Sequence, residues 1–218
     1  DMVMIKRILG IGIPNGLENS VFQIGKIAVQ GIVAGLGTAS ITANAIAVNI
    51  GGIGVLPGSA ISLALITVVG QSVGAGDYDG VKKYTVKLLK MAHIFMVVTN
   101  SLIMVLIPVI LKIYKVSDLT AEYATTLMIY HCILSTLFWP PSFSLPNALR
   151  AAGDVKFTMW VSIISMWVWR IGLSYVLAIV FEIGVFGVYI AMTIDWVSRT
   201  ICFVYRFYKE KYRAHSIT

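Results

Sequence analysis

An apolar run from Ile8 to Gly37 carries Glu18, Gln23, Lys26 and Gln30 inside it, together with Pro14. A carboxylate near the middle of a bilayer costs about 2.5–3.5 kcal/mol, so Glu18 is expected to face other helices or a water-filled cavity. There it can take up a proton or a cation, because neutralising a buried acid removes an expensive charge. At about 1.5 Å per residue it is expected on the order of 15 Å into the run, roughly halfway across. Lys26 lies further along the same run, about 80° round the helix from Glu18, so a structural ion pair between the two is the competing expectation. Glu18, Gln23, Lys26 and His131 form the candidate set for ion coupling or substrate contact. His131 joins it because an imidazole reached by water changes charge in the neutral range.

Other polar residues have plainer expected uses. Asp195 and Arg199 are spaced i, i+4, so one helix face can neutralise both in a structural ion pair. Arg170 has no partner in its own segment and calls for one on another helix or for an anionic lipid. Pro57 sits among Gly51, Gly52, Gly54 and Gly58, and Pro140, Pro141 and Pro146 crowd a second segment. Proline removes a backbone donor and frees a carbonyl, so these four are the hinge candidates. The freed carbonyls can bind a cation or a polar ligand, or be answered by Ser142, Ser144 or water. No second histidine stands at metal spacing, and no paired carboxylates or nucleophile-base set appears. We therefore expect no metal, no organic cofactor and no enzyme activity.

The elements that must position these groups are long and apolar. Of 218 residues 58% are hydrophobic and 12% charged, with a mean hydropathy of +0.85, a balance of an integral membrane protein. Six segments, 5–36, 39–72, 78–114, 119–148, 155–181 and 185–210, are each long enough to cross a bilayer as helices. They predict an all-α bundle of six transmembrane helices in one domain over 1–218. Lys6, Arg7, Lys82, Lys83, Lys87, Lys90, Arg150, Lys156, Arg206, Lys209, Lys211 and Arg213 collect on one side of that arrangement, against Lys112 and Lys115 on the other. This bias puts both termini in the cytoplasm and accounts for the net charge of +7 without nucleic acid. Cys132 and Cys202 fall inside apolar segments and are expected as free thiols. Gly76-Asp77 and Gly153-Asp154 each follow an apolar segment and precede a basic one, which suggests a repeated helix pair with a glycine stop and an aspartate cap.

Four stretches, Ile11 to Glu18, Val69 to Asp77, Ala148 to Asp154 and Ile194 to Arg199, together resemble the multidrug and toxic compound extrusion (MATE) family. The likeness covers the whole chain, as the second six-helix lobe of a two-lobed, twelve-helix transporter. The resemblance implies an antiporter of the cell membrane that exports drugs or organic cations in exchange for Na⁺ or H⁺. It implies that Glu18, after Pro14, stands where an acid of the seventh helix takes part in coupling-ion binding. The acid that some members carry inside the tenth helix has no match, since Asp118 and Glu122 stand at that segment's outer end. The expected partners are the bilayer, a small organic cation, and either an N-terminal lobe of the same protein or a second copy of this chain. A lipid-linked sugar flippase of the same superfamily, which needs several cations in its cavity, and a non-transporting membrane subunit are the alternatives.

Overall fold

Glycine and its neighbours end and restart the helices. The computed structural model describes residues 2–210 and 212, among which six helices run in succession: α1 Met2–Ala34, α2 Thr38–Gly74, α3 Tyr78–Tyr114, α4 over 118–151, α5 Val155–Val180 and α6 Val185–Tyr208. By length and composition α2, α3, α5 and α6 are apolar enough to cross a membrane, while α1 and α4 carry most of the polar candidates. Gly76 and Gly153 adopt φ of 72° and 93°, which only glycine takes without strain. Around them the backbone repeats one pattern: Asp77 N–H donates to Ser72 O and Asp154 N–H to Leu149 O, both at 2.9 Å. The same Schellman turn thus closes α2 and α4.

The two aspartates that follow diverge. Asp77 caps α3 by accepting from Gly80 N–H at 2.8 Å. Asp154 makes no cap bond, contrary to the expectation from sequence; Arg206 donates to it through Nε at 2.6 Å and Nη2 at 3.1 Å. A forked, charge-assisted pair outweighs one backbone bond.

Proline shapes α4 without breaking it. Pro140–Ser144 form a π turn, in which Leu145 N–H donates to Pro140 O. His93 Nε2 lies 3.3 Å from Leu137 O, the carbonyl that Pro141 leaves without a helical donor. Ser142 Oγ donates to Trp196 O at 2.7 Å, and the Ser62 and Ser144 hydroxyls lie 2.7 Å apart. The serines therefore tie α4 to α6 and α2. Wide turns recur in α5, at Met166–Leu173 and Val176–Val180, and Arg170 projects from the first of them.

Glycines of α2 form a groove for their neighbours. A Cβ on Gly51 would stand 2.6 Å from His131 Nε2, and one on Gly58 2.5 Å from the Trp139 ring and 2.8 Å from Met96 Sδ. Gly52 has open space. We expect Gly58→Ala to cost about 1–3 kcal/mol by overpacking, and Gly52→Ala to leave stability unchanged, as measured by melting of the detergent-solubilised protein. Equal melting of the two variants would refute the groove.

Two apolar clusters close the ends of the bundle. One gathers Leu65, Val69, Leu145, Leu149 and Phe203 near the Schellman turns, the other Ile46, Ile103, Leu127, Val188 and Met192 at the far end. Between them lies a polar layer of buried Glu18, Ser62, Ser142, Ser162, Ser165, Asp195 and Arg199. Exposed side chains of α3 such as Val98, Val105 and Ile113 are aliphatic, as a lipid-facing surface requires.

Candidate functional site

Glu18, Phe22, Lys26 and Gln30 follow one another every fourth residue and so form a stripe along one side of α1. That stripe borders a divided chamber. Glu18, Phe22, Ser59, Trp139, Asn147, Arg150, Ser162 and Arg199 line a compartment of about 360 Å³. Lys26, Gln30, Asn44, Gly51, His131, Arg170, Tyr189 and Trp196 line a second of about 450 Å³. Phe22, Ser59, Trp139 and Phe143 belong to both and partition them. The rings support one another: Trp139 stacks on Phe143 with centroids 5.3 Å apart, and Phe22 meets Phe143 edge-on at 5.9 Å.

In the first compartment Glu18 pairs with Arg150, through Oε1 and Nη2. It does not pair with Lys26, whose ammonium sits 5.2 Å from the Phe22 ring centroid. Arg150 is held in turn by Asn147, whose Oδ1 accepts from Nη1 at 2.6 Å. Arg150 stands in the last turn of α4 and reaches Glu18, at the middle of α1, from the end of the bundle that bears the Schellman turns. Glu18 is 8% exposed, and its second oxygen, Oε2, is buried without a hydrogen bond among the described residues.

Asp195 and Arg199 form the i, i+4 pair at 2.8 Å within a larger cluster. Asp195 Oδ1 also accepts from Ser165, and Oδ2 lies 3.5 Å from Arg170 Nη1, so the partner that Arg170 lacks in α5 is on α6. Arg199 donates to Ser162 O at 3.0 Å and stands 5.3 Å and 5.4 Å from the ring centroids of Phe22 and Phe143. Its charge is thus shared among a carboxylate, a carbonyl and two ring faces. His131 meets Trp196 and Tyr189 edge-on, at 5.5 Å and 6.3 Å.

Some candidates are not brought together. Gln23 is exposed and lines neither compartment, because it is about 100° round the helix from Phe22. Pro14 has no described side chain. Pro146 borders the Glu18 compartment, whereas Pro57 borders neither. Arg150 is the residue that sequence reasoning missed: ending the fourth segment at 148 made it a loop charge, whereas the helix continues to Ala151. Its spacing from Pro146 and Asn147, i−4 and i−3, was the available signal that all three share a face. Among the described residues no three His, Cys, Asp or Glu side chains gather as a metal site, and Cys132 and Cys202 are free thiols.

Six helices with lipid-facing aliphatic sides, enclosing a polar chamber, define a multi-pass membrane protein. The chain belongs to the MatE family, whose model matches residues 14–176. It is 24% identical over 212 residues to a probable multidrug resistance protein NorM of Thermotoga maritima, covering 97% of this chain and 46% of that protein. It is 27% identical over 198 residues to the uncharacterized transporter YisQ of Bacillus subtilis, covering 88% and 42%. A crystal structure of MATE in the straight conformation has the same fold, with a TM-score of 0.86 at 17% identity, covering 100% of this chain and 48% of the other. The chain spans about half the length of the relatives it matches.

Proposed function

We propose that the chain forms one lobe of a secondary active exporter of the cell membrane, moving amphipathic organic solutes outward in exchange for Na⁺ or H⁺, with Glu18 as the ion-responsive group. One observation carries this reading: a carboxylate with one oxygen on Arg150 and the other without a protein partner borders an open chamber inside a membrane bundle. Neutralising Glu18 releases Arg150, and a charge change of that kind biases one arrangement of packed helices over another. A proton needs only the carboxylate. Sodium needs further oxygens, and Asn19, Ser59 and Ser162 border the same compartment. The basic end of the bundle faces the cytoplasm in this reading, with both termini there. Pro57, Pro140, Pro141 and Pro146 are the positions where helices would flex, and the other half of the machine is a preceding lobe or a second copy.

An organic cation, the cargo expected from sequence, has Glu18 and the ring faces as partners. Lys26 and Arg199 already stand over Phe22 and Phe143, so such a cargo competes with the protein's own cations. The chamber's cations, Lys26, Arg150, Arg170 and Arg199, also keep the lipid-linked flippase in view as a second reading.

The test is transport by the product of the complete gene in proteoliposomes. An imposed Na⁺ or pH gradient is expected to drive uphill movement of an amphipathic dye, and the matching ionophore to abolish it. Movement of no dye in a charge-varied panel under either gradient would sink the proposal.

A further inference from the structure

The two compartments differ in what they leave unsatisfied. The first has a free acceptor, Glu18 Oε2. In the second, Arg170 Nη1, Trp196 Nε1 and His131 Nε2 are buried and make no hydrogen bond among the described residues. The first two of these can only donate, and Lys26, which lines the same space, adds an ammonium with three more donors. Among the described residues no acid lines this compartment. Asp195, behind its wall, commits Oδ1 to Arg199 and Ser165, and its Oδ2 is 3.5 Å from Arg170 Nη1, too far for a good hydrogen bond. Around the donors stand apolar and aromatic surfaces, from Val29, Val55, Phe143 and Met192 among others. A volume of about 450 Å³ lies in the range of small-molecule sites.

We infer that the His131 compartment binds the oxyanion of an amphipathic solute, a carboxylate, sulfonate or phosphate on an aromatic or alkyl body, with Lys26 and Arg170 as its charge partners and Trp196 Nε1 as a further donor. The apolar body lies against the rings of the partition. Only the movement of the bound molecule rests on the export reading; the binding does not. The arrangement gives each charge its own compartment: the coupling cation meets Glu18, and the cargo's anion meets Lys26 and Arg170. An organic cation in the second compartment would meet two like charges and no acid.

Binding to the complete gene product in detergent, without any gradient, tests this with two fluorescent probes of one ring system, one bearing a carboxylate and one a quaternary ammonium. The carboxylate probe is expected to bind about tenfold more tightly. Lys26 is the residue to vary, since it is exposed and makes no ion pair among the described residues. Lys26→Gln is expected to remove most of the preference and Lys26→Glu to reverse it. Tighter binding of the ammonium probe to the wild type, or an unchanged preference in Lys26→Glu protein that elutes and melts like wild type, would overturn the inference. Competition separates the sources of the oxyanion: displacement by a short-chain phosphatidic acid but not by a soluble aryl carboxylate assigns it to a lipid headgroup, and the reverse assigns it to a soluble solute. Displacement by neither overturns the site. Anion preference without gradient-driven transport would refute the exporter and leave the site standing.

Discussion

Asp195→Ala is expected to reduce folded protein recovered from membranes severely and to lower the melting midpoint of what remains. Asp195 is fully buried and answers Arg199 at 2.8 Å and Arg170 at 3.5 Å, so its loss strands two guanidinium groups inside the bundle. Removing one partner of a buried pair costs about 3–5 kcal/mol, a large share of a total stability of about 5–15 kcal/mol. Arg199 keeps the Ser162 carbonyl and two ring faces, and these offset only part of the loss. Removing all the charges together, as Asp195→Leu with Arg170→Met and Arg199→Met, is expected to restore much of the yield, because well-packed apolar groups replace buried ions at little cost. The comparison is made by size-exclusion recovery after heating. A single variant as stable as wild type would show that water or lipid, not Asp195, solvates the two arginines.

Glu18→Gln is expected to abolish the dependence of transport on the ion gradient while leaving binding of the cargo probe within about twofold, given that the probe's charge partners lie in the other compartment. Glutamine keeps the shape and one hydrogen bond to Arg150 but cannot gain or lose a charge. It also strands Arg150, which is only partly buried, so a stability loss of about 1–3 kcal/mol accompanies the change. The double variant Glu18→Gln, Arg150→Gln separates the two effects. It is expected to regain stability and remain uncoupled. Gradient-driven transport in either variant at the wild-type rate would assign coupling to another group and leave the pair as a purely structural one.

The residues explain what was legible in the sequence and what was not. Helix ends followed from local chemistry: Gly76 and Gly153 stand where the chain takes the left-handed backbone that glycine allows without strain. Asp195 and Arg199 were readable because both lie on one helix one turn apart. The partner of Glu18 was not, since Arg150 is 132 positions away and nothing in a single chain sets which of several arginines a buried acid meets. Lys26 was the nearer choice, and it lost because the Phe22 face was available to it while Arg150 reached Glu18 from α4. The partition was equally hidden: Phe22, Trp139 and Phe143 read as ordinary apolar residues until the π turn and the glycine groove bring α4 against α1 and α2.

Phe22, Ser59, Trp139 and Phe143 line both compartments, and this imposes a symmetry on any two ligands that occupy them. A molecule on one side acts on the same four side chains that the other must meet. By thermodynamic linkage, whatever factor the cation at Glu18 applies to the affinity for cargo, the cargo applies to the affinity for the cation. Stiffening or loosening these four residues can shift each affinity by its own amount, but the coupling between the two ligands is a single factor, so a variant of the partition cannot improve the response of one ligand to the other without improving the converse.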